Sequence, residues 1–288
     1  MNLQAILGTL KALEKLSGQA NVLRPICLRL DEFSHVEEDM RSEELVLMDS
    51  SFKVKYFKFK DLEAPICAVD LSSAKLGETD AGYVSAYRLA IVRQTSTELE
   101  IMRFGPILCH YTEENLRRIY RFLRCDILKL KEASPPPLYK MHERIGAFLE
   151  KFGQKIASKL ISDGIILWDG SLTQTIDAPA DLLKGLINEA KRRGNSIIAV
   201  SKSSRLKLRG GKRLINLLRE FRRPCYVDVH GKIDEKIREY IYGRVHVAKF
   251  SPIGFSFRVD VVPAPGLSYD LVLNVLYSNC SFFNGYPE

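Results

Sequence analysis

Two aspartates, Asp70 and Asp169, follow short apolar runs in "ICAVDLSS" and "IILWDGSL". Such runs predict buried strands, so each strand would deliver a carboxylate at its end. A carboxylate beside an apolar interior is costly unless a cation or hydrogen bonds balance it. One interpretation is that each aspartate caps a turn or helix through its own side chain. Together, and in a basic chain, the pair favours a divalent-metal site, because magnesium and manganese prefer oxygen ligands.

A third carboxylate is expected from the helix that precedes Asp169, "MHERIGAFLEKFGQKIASKL". It offers Glu143 and Glu150, which are seven residues apart and therefore lie on one helix face. We favour Glu150, because the small residues Gly153 and Ala157 follow it and would let a neighbouring backbone approach closely. The alternative is that Glu150 is a solvated side chain beside a lysine.

The segment "SKSSRLKLRGGKRLINLLREFRRP" (201–224) is rich in lysine and arginine. A glycine-containing loop before a helix can bind phosphates through side-chain charge and backbone N–H groups together, although a charge run is also typical of a solvated face. "RGGKR" lacks the spacing of a Walker A loop, and the chain contains neither H-E-x-x-H nor G-x-S-x-G, so the sequence gives no support for an ATPase, a zinc protease or a serine hydrolase. The candidate phosphate contacts are Lys202, Arg205, Lys207, Arg209, Lys212 and Arg213.

Composition narrows the class of protein. The 288 residues are 46% hydrophobic and 27% charged, as in ordinary globular proteins, and the net charge of +8 favours an anionic partner such as nucleic acid or a membrane surface. The six cysteines are scattered, with no C-x-x-C pair, which is typical of reduced thiols in a cytoplasmic protein. No run of about 18 apolar residues predicts a membrane span, and the N-terminus does not have the pattern of a signal peptide.

The secondary-structure pattern predicts an α/β fold with a mixed sheet. Three strands joined by short connections come first, and helices and strands then alternate, which favours an antiparallel three-strand start followed by α/β units. The predicted strands are 64–73, 82–94, 97–107, the run before Asp169, 195–202, "RVHVAKF" and "FSFRVDVV"; the predicted helices are 113–131, 138–161, 179–193 and 211–222.

The N-terminal residues 1–50 are predicted to be a helical extension of a single domain that spans 51–288. Their first helix carries an apolar stripe, which must be buried either on the protein's own core or between molecules. We expect this helix or the terminal segments to serve a homodimer that encloses a basic channel. The stripe consists of Leu3, Ile6, Leu7, Leu10, Leu13 and Leu16.

Several motifs, taken in order, resemble those of the NurA nuclease family. "ICAVDLSS" is similar to the family's first motif and "IILWDGSL" to its second. "IIAVSKSS" resembles the strand that follows, "FSFRVDVV" the late Phe-Arg-Val-acidic strand, and "NGYPE" the Gly-Tyr-Pro near the end. The set covers about residues 64 to 288.

This resemblance implies a ribonuclease H-like core and manganese-dependent DNA cleavage, with magnesium as a second candidate metal. Asp70 and Asp169 fall on the family's metal-binding aspartates, and Glu150 falls near its helix glutamate. The resemblance also implies a dimer that works with a HerA-type hexameric translocase in DNA-end resection, as a 5'–3' exonuclease and single-strand endonuclease. The lack of an ATP-binding loop agrees with a separate motor.

A second hypothesis is a catalytically inactive DNA-binding or scaffold subunit of the same fold. It rests on two departures from the family pattern. Leu71 stands where the family has glycine, and the sequence reaches Glu288 without the later helix that carries a histidine in the family. His246 or Val247 also stands where the family tends to have tyrosine. The metal site predicted from the aspartates does not use these positions.

Overall fold

The computed structural model describes residues 3–18, 45–47, 52–202, 204, 206–208, 213–283 and 285–287. Its first elements are the helix α1 (Leu3–Leu16), the strands β1 (Leu45–Leu47), β2 (Val54–Tyr56), β3 (Ile66–Thr79), β4 (Gly82–Gln94) and β5 (Leu99–Thr112), and the helices α2 (Leu116–Arg121) and α3 (Met141–Leu160). After these come β6 (Ile165–Asp169), α4 (Ala180–Arg192), β7 (Ser196–Ser201), β8 (Leu206–Leu208), β9 (Cys225–Asp228), α5 (Glu235–Arg238), β10 (Arg244–Lys249), β11 (Phe257–Val262), α6 (Tyr269–Asn279), β12 (Phe282–Phe283) and β13 (Tyr286–Pro287).

Nine strands form one mixed sheet in the order β2-β9-β10-β11-β7-β6-β3-β4-β5. β6 and β7 are parallel, whereas each strand from β7 through β11, β10 and β9 to β2 is antiparallel to the next. β3, β4 and β5 follow one another through short connections, as predicted. The part of the order that reads β5-β4-β3-β6-β7 is that of a ribonuclease H-like core. The predicted fold class, a mixed α/β sheet of this type with an N-terminal helix, is confirmed.

The chain divides into two compact units. The first contains α1, α2 and most of α3. It also contains β3 from Val69 onward, β4 as far as Ile91 and β5 from Ile101 onward. The second contains β1, β2, the remaining parts of β3, β4 and β5, and the elements from β6 to β13. β3, β4 and β5 therefore each contribute residues to both units.

In the first unit, α1 buries the middle of its apolar stripe on the unit's own core. Ile6, Leu10 and Leu13 are at most 4% exposed, and α1 contacts α2 and the π-helical turn after it. The side chain of Glu14 accepts a hydrogen bond from the backbone N–H of Leu108 at 3.1 Å. Of the two ways to bury the stripe, the structure shows packing on the protein's own core.

The second unit buries both faces of its central strands. β6, β7 and β11 are buried almost throughout, as expected of strands covered on two sides. On one face, alternate residues of these strands, Ile165 and Leu167 among them, pack against α6 in a continuous core. That core also includes Ile66, and Ala68 packs against it.

Several predicted elements have different bounds in the structure. β3 continues to Thr79, because the hairpin turns at residues 80–81 and not over "AKLGETDA". β5 extends to Thr112, and the helix predicted over 113–131 is shorter: α2 is followed by a π-helical turn at Phe122–Ile127. The prediction of a basic helix over 211–222 is wrong for the described residues of that range, which form a 3-10 turn at Leu214–Asn216.

The described cysteines are all free, as predicted, and Cys27 lies outside the described residues. Burial raises the pKa of the thiols of Cys67, Cys109 and Cys280 to about 12. These thiols are therefore protonated and unreactive in the folded protein at neutral pH. Within the described ranges, none of the helices has both the length and the apolar character to cross a bilayer.

Packing of α1 on its own unit predicts a difference between two leucines of the stripe. Leu13 is fully buried, so Leu13→Ala should lower the free energy of unfolding by about 2–5 kcal/mol. Leu7 is 45% exposed, and Leu7→Ala should cost much less. Urea unfolding at two protein concentrations measures both. A larger loss for Leu7→Ala, together with a dependence on concentration, would instead indicate that α1 is buried between molecules.

Candidate active site at the end of β6

Asp169 is the last residue of β6, where the strand leaves the core. The four residues before it are buried, whereas the Asp169 side chain is 40% exposed. Gly170 then turns the chain with a φ of +97°, a conformation that favours glycine, and its N–H donates to the carbonyl of Val200 at 3.0 Å. The "IILWDGSL" motif thus places a carboxylate in solvent on a rigid strand end.

Lys202 lies beside this carboxylate, just beyond the end of β7. Its Nζ is 3.4 Å from Oδ2 of Asp169 and 4.3 Å from the ring centroid of Tyr286. The Lys202 side chain is 62% exposed, so the ion pair is worth at most about 1 kcal/mol. A cation held this weakly can exchange its partner for a phosphate oxygen, because little binding free energy is given up when the pair separates.

A buried ion pair supports the segment that follows Asp169. Arg258 donates to both carboxylate oxygens of Asp260 at 2.8 Å, and the two side chains are only 7% and 0% exposed. Asp260 also accepts from the N–H of Leu172 at 2.9 Å, and Arg258 donates to the hydroxyl of Thr173 at 2.9 Å. Both residues of the pair therefore hold the loop after Gly170.

Arg258 and Asp260 are functional residues that the sequence did not predict. Their segment, "FSFRVDVV", was predicted only to be a strand and is part of the family resemblance. The signal available was two opposite charges at i and i+2, which lie on the same face of a strand that is otherwise apolar. Two such charges in a buried strand indicate a pair that neutralises itself.

Asp70 is exposed and lies within β3, four residues from its start, rather than at a strand end. Its neighbours Val69 and Leu71 lie against α3, because a Cβ at Gly153 would be 2.7 Å from Val69 and one at Gly146 would be 3.4 Å from Leu71. Ser73 contacts α3 as well, with its hydroxyl 3.1 Å from His142. Side chains alternate along a strand, so Asp70 points away from α3.

Glu150 lies on α3, between the two glycines that approach the sheet. Its Oε1 accepts from Nε2 of Gln154 at 2.8 Å and lies 3.6 Å from Nζ of Lys151. The predicted close approach at Gly153 is present, but its partners are the side chains of Val69 and Leu89. Because Asp70 points away from this helix, the structure does not bring Glu150 to that aspartate. Glu143 is exposed near the start of the same helix.

Part of the predicted basic cluster can be placed. Lys207 is a half-buried residue of β8, which pairs in parallel with β1, and Arg213 is exposed and bridged to Lys207. Arg205, Arg209 and Lys212 lie outside the described residues.

The described residues contain no group of three or more His, Cys, Asp or Glu side chains that could hold a metal ion.

His246, noted as a departure from the family, is buried at the sheet, with its Nδ1 2.9 Å from the carbonyl oxygen of Arg244. Burial lowers the pKa of His246, so it is neutral at physiological pH. At the end of β6 the described side chains offer an exposed carboxylate and an adjacent ammonium group.

The buried pair predicts a test against a matched exposed pair. Asp260→Asn keeps the shape of the side chain but leaves the Arg258 charge buried without a counter-charge, so the free energy of unfolding should fall by about 3–5 kcal/mol. Arg244 and Asp228 form a second strand pair at 2.6 Å, but their side chains are 41% and 35% exposed. Asp228→Asn should cost about 1 kcal/mol or less. Equal losses in urea unfolding would contradict this role for the buried pair.

Comparison with known proteins finds similarity among solved structures. No protein-family model matches the sequence, and no curated protein matches it. The NurA nuclease from Sulfolobus solfataricus is 16% identical, with a TM-score of 0.48 over 81% of this chain and 78% of that one. A NurA structure bound to dAMP and manganese is 9% identical, with a TM-score of 0.43 over 81% and 84%. Endonuclease V from Ciona intestinalis, in complex with DNA, is 12% identical, with a TM-score of 0.37 over 100% and 92%. These likenesses are of fold, and they include the family that the sequence motifs resemble.

Proposed function

We propose that the protein is a divalent-metal-dependent deoxyribonuclease. The observation that carries the proposal is the exposed Asp169 carboxylate at the rigid end of β6, with the Lys202 ammonium 3.4 Å from it. This juxtaposition supplies one group that can bind a metal and one that can bind a phosphate. The net charge of +8 and the motif resemblance to NurA nucleases support DNA as the substrate.

Asp70 and Asp169 are the proposed metal-binding residues. Both are carboxylates with access to solvent, and oxygen ligands suit manganese and magnesium. Such ions are often held by one or two carboxylates, with water and substrate phosphate in the other positions. A bound ion would supply Lewis-acid stabilisation of the charge that develops on the phosphate and on the leaving oxygen. Glu150 is the third ligand that the sequence predicted; it is left out of the proposed pair, because Asp70 points away from the helix that carries Glu150.

The residues of the chain orient the substrate. In this proposal Lys202 leaves its weak pair with Asp169 and contacts the scissile phosphate or the adjacent one. The Arg258–Asp260 pair keeps the loop after Gly170 fixed, so that the Asp169 carboxylate stays in one place while DNA moves past. The basic residues around β8 follow the DNA backbone.

The wider role is proposed from the sequence resemblance. The protein would act in the cytoplasm as a homodimer, resecting DNA ends with a HerA-type hexameric translocase, as a 5'–3' exonuclease with single-strand endonuclease activity. The competing proposal, a scaffold subunit without cleavage, is favoured by Leu71. This leucine stands where the family has glycine; it is half-buried and lies against α3.

Cleavage of labelled DNA with manganese separates the two proposals. Asp169→Asn should lower the cleavage rate by about 100-fold or more, because it removes a charge that the transition state needs. Asp181→Asn, at an exposed aspartate of the first turn of α4, is the matched control and should cleave like the wild type. Absence of turnover in the wild type as well as in Asp169→Asn would favour the scaffold.

The same assay tests the third ligand. Glu150→Gln should keep a cleavage rate close to that of the wild type, because Asp70 points away from the helix that carries Glu150. A loss as large as that of Asp169→Asn would establish Glu150 as a ligand and would show that α3 lies differently in the working enzyme.

The basic cluster is tested by the salt dependence of DNA binding. Replacing Lys207, Arg209, Lys212 and Arg213 with glutamine should flatten the slope of log K against log salt by about 0.7–0.9 for each phosphate that the protein no longer neutralises. A control variant removes four positive charges from α4 and the residue after it, at Lys184, Lys191, Arg192 and Arg193. Equal slopes for the two variants would show that the cluster is a solvated face that makes no special contact with DNA phosphates.

A further inference from the structure

The loop between β10 and β11 exposes two large apolar side chains. Within this 251–256 loop, Ile253 is 96% exposed and Phe255 is 75% exposed. The residues on either side of the loop are buried: Phe250 and Phe257 stack with their rings 6.5 Å apart. The loop is thus anchored in the core at both ends, while its tip presents apolar surface to solvent at a cost in hydration free energy.

A continuous series of contacts links this loop to the candidate active site. Gly285 lies against it, since a Cβ there would be 3.4 Å from Gly254. The next residue, Tyr286, packs edge-on against Phe257 at 5.4 Å and lies under Nζ of Lys202 at 4.3 Å. Lys202 in turn reaches Asp169. All of these residues belong to the second unit.

The strand register leads to the same place. Arg258 in β11 pairs with Ser201 in β7, and Asp169 in β6 pairs with Val200 in β7. The loop that precedes β11 and the carboxylate that ends β6 therefore leave the sheet at the same edge, on strands separated only by β7.

We propose that the 251–256 loop is a base-stacking element, in which Phe255 stacks on an unpaired base of the DNA strand whose phosphate Lys202 contacts. This proposal rests on the proposed nuclease function. Proteins that bind single strands combine a cation for the backbone with an aromatic ring for a base, and the ring tolerates any sequence because every base has a π-face. Ile253, two residues before Phe255 in the same loop, offers the stacked base a further apolar contact.

A single-stranded end, rather than an intact duplex, is the substrate form that this arrangement fits. Bases inside a duplex are stacked on both faces and cannot cover Phe255 without unstacking. The bases of an unpaired end are less fully stacked and give up less when they reach the ring. The loop would therefore favour DNA whose end has been opened before it arrives at Asp169.

Binding measured without metal tests the loop separately from cleavage. With a fluorescein-labelled single-stranded oligothymidylate in EDTA, Phe255→Ala should weaken binding by about 5- to 150-fold, the range for loss of one base–aromatic stack. The control is Phe59→Ala, because Phe59 is 74% exposed but does not belong to the series of contacts described above.

Tryptophan emission tests the contact directly. Phe255→Trp should keep the affinity, and the oligonucleotide should quench its emission, whereas the emission of Phe59→Trp should not change. Trp168, the one native tryptophan, is buried and gives a constant background.

The outcomes are distinct. Unchanged affinity in Phe255→Ala overturns the stacking role, while cleavage that still depends on Asp169 leaves the nuclease function intact. A wild type that binds no oligonucleotide but cleaves DNA with manganese overturns the stacking role alone, and one that neither binds nor cleaves overturns both. Unchanged DNA binding with loss of self-association in sedimentation would make the loop a contact between copies of the chain, which also contradicts the proposal. Thermal unfolding verifies that the exposed substitutions leave the fold intact.

Discussion

Arg258 and Asp260 place two opposite charges inside the sheet, where neither side chain has appreciable access to solvent. Removing two ions from water is expensive, and their mutual attraction offsets the cost only when the geometry is good and the remaining polar atoms find partners. Here the pair is bidentate, and Nη2 of Arg258 and Oδ2 of Asp260, which bond each other, also hold the chain after Asp169 through Thr173 and Leu172. The position of the loop beside the candidate site is thus tied to a pair that cannot separate without leaving a charge buried.

The exposed pair of Asp169 and Lys202 follows the opposite rule. Its charges are hydrated, so holding them together is worth little and exchanging the partner is easy. The fixed pair of Arg258 and Asp260 lies close to the exchangeable pair, because Arg258 in β11 is opposite Ser201 in β7, the residue before Lys202. This division suits a site that must keep its backbone still while it binds and releases a polyanion.

The sequence predicted the fold better than it predicted the site. β4 is predicted correctly from its alternating apolar residues, and β6 from a short apolar run that ends at turn residues. α6 was missed because its apolar residues surround the helix, as expected of a buried helix, so no amphipathic period is visible. β3 was predicted too short, because the polar and glycine residues of 74–79 are typical of a loop, although hairpin pairing keeps them in a strand.

For the site, the strand end at Asp169 could be read from local sequence, and so could the lysine that follows β7. The direction of Asp70 relative to α3 could not, because it depends on which face of β3 the helix covers. The partnership of Arg258 with the loop after Gly170 also escaped, since it joins residues more than eighty positions apart. Long-range pairing of this kind is set by the topology of the sheet and has no local pattern.

The protonated thiols buried in both units determine how the protein undergoes covalent modification at cysteine. Thiolate is the nucleophile that attacks alkylating agents and disulfides, and burial keeps Cys67 and Cys109 almost entirely in the thiol form while the chain is folded. Covalent damage at these positions therefore proceeds through transiently opened molecules. Its rate under an excess of a thiol reagent reports the opening equilibrium of each region, with Cys109 reporting on the first unit and Cys67 on the second.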